Sequence, residues 1–256
     1  MAVPAYRATA LVDAPVAAVA GALRSVDVLR AVHAVDVPAR REGLLQPEDV
    51  VRLRGLALRV TTAGLGGMTA VRQSGARPVL AHTSTLVATG AGVLLTTELR
   101  WGAPLGRRAV VAALEDWTQA VSAEALRLRD AREVVAGAVV RDGRLLLARR
   151  TWPVALAGRW ELLGGGVDAG ESSAAALARE LDEELGITVR AGRQLGADVG
   201  LPSGRVLRAR WAELVNGEPV LREHSALRWV GADELAGVDL VPADRAWTAE
   251  LHERLS

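Results

Sequence analysis

Between Arg179 and Gly186 the chain reads Arg-Glu-Leu-Asp-Glu-Glu-Leu-Gly, and this short run carries the densest chemistry of the sequence. If it is helical, residues three and four apart share a face, so Glu180, Glu183 and Glu184 converge on one side. Like charges so close raise one another's pKa and destabilise the helix unless a counter-charge is supplied. Carboxylate oxygens are hard ligands, so magnesium or manganese suits them, and magnesium keeps part of its water shell for substrate phosphates. Arg179, with Glu171 across the preceding loop, can orient such a helix.

The elements that must hold these groups are legible around them. Val134 to Arg141 reads as a buried strand, Asp142-Gly143 as a hairpin turn and Arg144 to Arg150 as its return strand. A glycine-rich loop, Leu163-Gly164-Gly165-Gly166, precedes the acidic helix. Ser172 or Ser173 caps that helix at its start, and Gly186 suits the left-handed residue that ends it.

The spacing Gly165, five residues, Glu171, seven residues, Arg179-Glu180-Leu181, one residue, Glu183-Glu184, one residue, Gly186-Ile187 resembles the Nudix box at every specified position. By that resemblance Glu180, Glu183 and Glu184 bind metal with the Gly164 carbonyl, while Arg179 and Glu171 organise loop and helix. The family cleaves a nucleoside diphosphate linked to another group by magnesium-assisted attack of water on phosphorus. From about Val134 to the C-terminus the pattern is similar to the MutT-like group of 8-oxo-dGTP diphosphatases and CTP or dCTP pyrophosphohydrolases. The residues carrying that similarity are Arg149-Arg150, Gly158-Arg159-Trp160-Glu161-Leu162, Glu223 and Val241-Pro242-Ala243-Asp244-Arg245. The resemblance makes Glu223 a further metal ligand or general base, puts Arg150, Arg159 and Glu161 among the substrate-binding residues, and has Asp244 read the nucleobase. An acid at Asp244, where guanine-oxidation enzymes of the group commonly carry Asn, can accept from the exocyclic amine of cytosine. Trp160 and Trp229 are expected in the core. The loop departs from the usual Pro-Gly-Gly-Lys at Leu163 and at Gly166, and the second departure removes a cation; Arg150 and Arg159 are the candidates to replace it.

Composition bounds the rest. None of the 31 basic residues is Lys, and Cys is absent. That excludes a Schiff base, a Walker-type phosphate loop, disulfides, thiolate nucleophiles and Cys-ligated metal. The skew toward Arg, Ala, Val, Leu and Gly resembles translation of a GC-rich genome. At 256 residues with half of them apolar, two domains with separate cores are expected. Residues 1–133 carry 16 Arg against 12 acids and residues 134–256 carry 15 against 18, so net charge moves from +4 to −3. With Arg scattered in ones and twos, the footprint of a nucleic-acid binder is missing. Ala8 to Leu23 is small and apolar, but Asp13 and Pro15 interrupt it, so a signal peptide is disfavoured and a cytoplasmic protein with no membrane partner is expected.

The first half reads as a strand over residues 6–13, a helix opened by Pro15, strands over Val50–Ala63, Met68–Gln73, Val79–Val87 and Gly92–Trp101, and a helix from Gly106 to Asp130. Gly64-Leu65-Gly66-Gly67 is a hairpin connection. Val12-Asp13-Ala14-Pro15, and Thr97 to Arg108 leading into the long helix, resemble the START-like helix-grip family, also called polyketide-cyclase or SRPBCC. That resemblance implies a sheet wrapped on the long helix around an apolar cavity that takes a hydrophobic small ligand; a filled core that dimerises or supports the other domain is the rival. His33, His82 and Glu98 are candidate pocket groups without an assigned catalytic role.

The expected architecture is an α+β START-like domain over 1–132 followed by an α/β/α Nudix sandwich over 133–256. The expected activity is a magnesium-dependent nucleoside triphosphate pyrophosphohydrolase. A nucleotide- or hydrophobic-ligand-binding regulatory protein with a weakened Nudix domain is the alternative, and a homodimer is left open.

Overall fold

The computed structural model describes residues 4–32, 35–36, 43–53, 56–74, 77–101 and 107–256. The chain divides into two compact units, Met1–Asp130 with Ala197–Gly200, and Ala131–Gly196 with Leu201–Ser256. No helix among the described residues is long and apolar enough to cross a membrane.

The first unit runs β1 (Ala5–Val12), α1 (Val16–Arg24), α2 (Val26–Ala31), β2 (Val35–Asp36), β3 (Val50–Leu53), β4 (Leu56–Gly64), β5 (Gly67–Ser74), β6 (Arg77–Thr89), β7 (Gly92–Trp101) and α3 (Arg107–Asp130). Its seven strands form one antiparallel sheet in the order β1-β7-β6-β5-β4-β3-β2. Along β7 the even-numbered Leu94 and Glu98 and the odd-numbered Leu95 and Leu99 fall on opposite faces, as the two-residue period requires, and it is Leu95 and Leu99 that are buried. The run from Val50 to Ala63, expected as one strand, is two strands that fold back with Leu53 opposite Leu56. An alternating pattern does not distinguish a long strand from a tight hairpin, because both keep the same face buried. The expected Gly64 to Gly67 connection is present, with Gly67 at φ 131°. His33, and Gly102 to Gly106 of the START-like resemblance, lie outside the described residues.

The second unit runs β8 (Glu133–Arg141), β9 (Arg144–Arg149), β10 (Trp160–Glu161), α4 (Ser173–Leu185), β11 (Thr188–Gly200), β12 (Val206–Asn216), β13 (Ala226–Val230), α5 (Ala232–Leu235), a 3-10 turn (Asp244–Trp247) and α6 (Thr248–Leu255). Its mixed sheet has the order β10-β9-β8-β12-β11, with β13 on β9 and β12 parallel to β8. Asp142 and Gly143 turn the β8–β9 hairpin with φ of 52° and 71°, the left-handed pair that a two-residue connection needs.

On α4, Leu177, Leu181 and Leu185 recur every fourth residue and are fully buried against Val135, Val139 and Leu163. Each contributes about 1.5–3 kcal/mol by leaving water. Gly137 on β8 lets the helix come close, since a Cβ there would lie 2.8 Å from Leu177 Cδ1. Burying this stripe fixes the rotation of α4. Asp244 to Trp247 form a 3-10 turn, and α6 starts at Thr248.

Candidate active site

Three short backbone contacts set the glycine loop along β8. The Val135 and Gly137 amides donate to the Gly165 and Leu163 carbonyls at 2.9 and 2.7 Å, and the Val167 amide donates to the Glu133 carbonyl at 3.2 Å. Leu163, which replaces the usual proline, is fully buried in the core below. Gly164 has φ 148°, and a Cβ there would fall 2.2 Å from the Val135 carbonyl oxygen. At Gly165 a Cβ would fall 2.3–2.5 Å from the carboxylate of Glu180. Gly164 is therefore demanded by close approach of backbone to backbone, while Gly165 brings the loop directly onto the carboxylate end of an acidic side chain of α4.

The helix itself is held as its sequence implies. The Ser172 hydroxyl accepts the Ala175 amide at 3.2 Å, and Gly186 closes the other end at φ 67°. Arg179 then spans loop and helix. Its Nε and Nη2 each donate to Glu171 at 3.1 Å, Nη2 also donates to the Gly166 carbonyl at 3.0 Å, and Nη1 donates to Glu180 at 3.0 Å and Glu183 at 3.3 Å. The Arg179 hydrogen bonds hold the Glu171 carboxyl below its usual range, with the Asp168 amide adding to the effect.

The three expected helix carboxylates are divided. Glu180 and Glu183 turn to Arg179, whereas Glu184 is half-buried with an Oε2 that has no hydrogen-bond partner. Burial, opposed by His224 and reinforced by Glu223, Glu180 and Glu161, pushes Glu184 up to about 7. No group of three His, Asp or Glu side chains among the described residues stands ready to hold an ion. Two of the three helix carboxylates are paired with the guanidinium of Arg179.

A second cluster lies beside Glu184. Arg150 pairs with Glu161, and His224 Nε2 lies 3.3 Å from the other Glu161 oxygen, which raises the His224 pKa against its burial. Thr151 Oγ1 donates to the Glu223 carbonyl at 3.5 Å, tying the two loops. Asp244 is 3% exposed and accepts the Leu162 amide at 2.6 Å; burial pushes it up to about 7, with Glu161 adding and Arg150 opposing. Arg159 is not brought into this group: its Nε sits 3.8 Å from Asp239. His224 was invisible to spacing, because its partner Glu161 is 63 positions away and only the pairing of both β10 and β13 with β9 brings them together.

Residues 131–255 match the NUDIX domain family. Over 126 residues the chain is 53% identical to "Putative 8-oxo-dGTP diphosphatase 2" of Mycobacterium tuberculosis, an alignment that covers 48% of this chain and 89% of that protein. This chain belongs to the NUDIX family. A second relative with the NUDIX half is the "CTP pyrophosphohydrolase" of Escherichia coli strain K12, 41% identical over 44% of this chain and 84% of that protein. A third is the "Oxidized purine nucleoside triphosphate hydrolase" of Mus musculus, 34% identical over 36% and 61% of the two chains. The NUDIX half is a hydrolase domain acting on phosphoric anhydride bonds.

The first unit carries a separate feature. Leu58, Met68, Leu80 and Leu99 of its sheet, with Val110, Leu114 and Trp117 of α3, line an apolar cavity of about 70 Å³. His82 lines it too, its ring edge-on to Trp117 at 5.8 Å, and burial lowers its pKa to about 4. Glu98, the other described candidate for this pocket, points elsewhere: it pairs with Arg7 and Arg100 and does not line the cavity.

Proposed function

We propose that the NUDIX half is a magnesium-dependent nucleoside triphosphate pyrophosphohydrolase, converting a (d)NTP and water to the (d)NMP and pyrophosphate. The observation that carries the reading is Glu184 Oε2, a buried carboxylate oxygen without a partner beside Glu223 and within one helical turn of Glu180 and Glu183. A hard divalent cation fits that orphaned oxygen and this all-carboxylate donor set. Glu180, Glu183, Glu184 and Glu223, with the Gly164 carbonyl, would hold Mg2+ or Mn2+, whose chemistry when bound is to neutralise phosphate charge and polarise water. Glu223 or Glu184 accepts the proton of the attacking water, Arg179 and Glu171 keep loop and helix in register, and Arg150 with Glu161 borders the substrate.

CTP or dCTP is the favoured substrate, with oxidised dGTP the runner-up. The support is Asp244, a buried carboxyl next to Arg150 and Glu161 that can accept from an exocyclic amine; the relatives named for 8-oxo-dGTP and for CTP leave the same two choices. Pyrophosphate release across a nucleotide panel in magnesium tests the whole reading. Turnover of no nucleotide, or turnover untouched by Glu184→Gln, sinks it.

For residues 1–132 we propose a START-like domain whose cavity takes a small apolar ligand. The order of its elements and the apolar cavity against α3 support this, and they also favour a second reading in which ligand binding in this domain is the working activity. Saturable binding of a small apolar probe to a chain carrying Glu184→Gln separates the two activities.

A further inference from the structure

A glycine stands at position 166, where the resemblance leads one to expect a cation, and the space it leaves is filled from another part of the chain. A Cβ on Gly166 would lie 3.3 Å from Nη2 of Arg205, in the connection between β11 and β12. The other arginines of the site are committed. Arg150 is held by Glu161 and the Trp152 carbonyl, Arg159 lies against Asp239, and Arg179 is spent on Glu171, Glu180, Glu183 and the Gly166 carbonyl. Arg205 is half-buried, yet its guanidinium has no ion pair or hydrogen bond among the described residues. Its backbone is fixed, because the Leu201 amide donates to the Arg205 carbonyl at 2.9 Å and Gly204 closes the turn.

From this geometry we infer that Arg205 is a substrate-contacting residue of the hydrolase site, supplying the loop cation that Gly166 lacks and engaging the phosphate chain of the nucleotide. The inference rests on the hydrolase reading above. An unpaired guanidinium one residue from Gly165, which itself touches Glu180, keeps all its donors for an incoming anion. The planar fork suits two phosphate oxygens at once. A side chain at 166 would press on that guanidinium, its Cβ 3.3 Å from Nη2, so the glycine leaves Arg205 its position.

Binding of inorganic pyrophosphate in magnesium buffer, read by calorimetry, tests Arg205 independently of turnover; an inactive wild type would overturn the hydrolase reading while leaving this measurement intact. Arg205→Ala is expected to weaken pyrophosphate binding and lower kcat/KM by roughly tenfold or more each. Gly166→Lys is expected to restore both in the Arg205→Ala background, with a gain about tenfold larger there than in the wild type. Should the alanine variant not fold, Arg205→Gln, which keeps most of the volume, carries the same comparison. Pyrophosphate binding unaltered by loss of Arg205, equal effects of Gly166→Lys in both backgrounds, or a change confined to base selectivity would each overturn the assignment.

Discussion

Asp244 Oδ2 accepts the backbone amide of Leu162 at 2.6 Å across 82 residues of chain, fastening the C-terminal turn to the strand that carries Glu161. The same carboxyl is buried and is the residue proposed to read the base.

Asp244→Asn keeps an acceptor for Leu162 but loses the anion. Selectivity, measured as the ratio of kcat/KM for CTP over 8-oxo-dGTP, is expected to fall by about tenfold; an unchanged ratio removes Asp244 from base reading. The pH dependence follows from its pKa, about 7 folded against an ordinary 3.8. The protonated form stabilises the native state below pH 4, and that contribution is lost as pH rises toward 7. Urea melts should therefore show the Asn variant gaining on the wild type between pH 4 and 7.

Arg179→Lys replaces a five-donor fork by one ammonium. A single ammonium does not reach Glu171, the Gly166 carbonyl, Glu180 and Glu183 together, so loop and helix lose their common anchor. Turnover is expected to fall roughly tenfold to a hundredfold while KM moves less, as fits a residue that acts through positioning. A drop in stability with turnover intact would count against that role.

Glu184→Gln replaces a half-buried carboxyl whose ionised form burial disfavours, pushing it up to about 7. In the presence of a chelator above pH 7, where the carboxylate is ionised, the variant is expected to melt higher than the wild type, by about 1–2 kcal/mol of stability. In magnesium it should lose at least about a hundredfold in kcat. A variant that is both less stable without metal and active with it contradicts the site.

His82 makes the first unit sensitive to acid. Unfolded, the imidazole binds a proton near pH 6.5; folded, burial defers this to about pH 4. Stability is fully present above 6.5 and declines as pH falls through the window, by up to about 1.4 kcal/mol per unit. Between pH 7 and pH 5 the wild type should lose more stability than His82→Leu, and an equal change in both would remove His82 from this role.

What the sequence by itself determined is local. Helical periodicity put Arg179, Glu180 and Glu183 within reach of one another, Ser172 and Gly186 marked the ends of their helix, and Asp142-Gly143 marked the hairpin beneath. Those relations need only backbone geometry over a few residues. The tertiary structure decided the rest: that Glu184 parts from its two neighbours, that His224 faces Glu161, that Arg159 turns to Asp239, and that Arg205 fills the space beside Gly166. Each depends on sheet register or on one loop crossing another, and no spacing along the chain encodes it. The missing lysine shows the difference plainly. Sequence located the vacancy at position 166, and only packing showed which side chain stands in it.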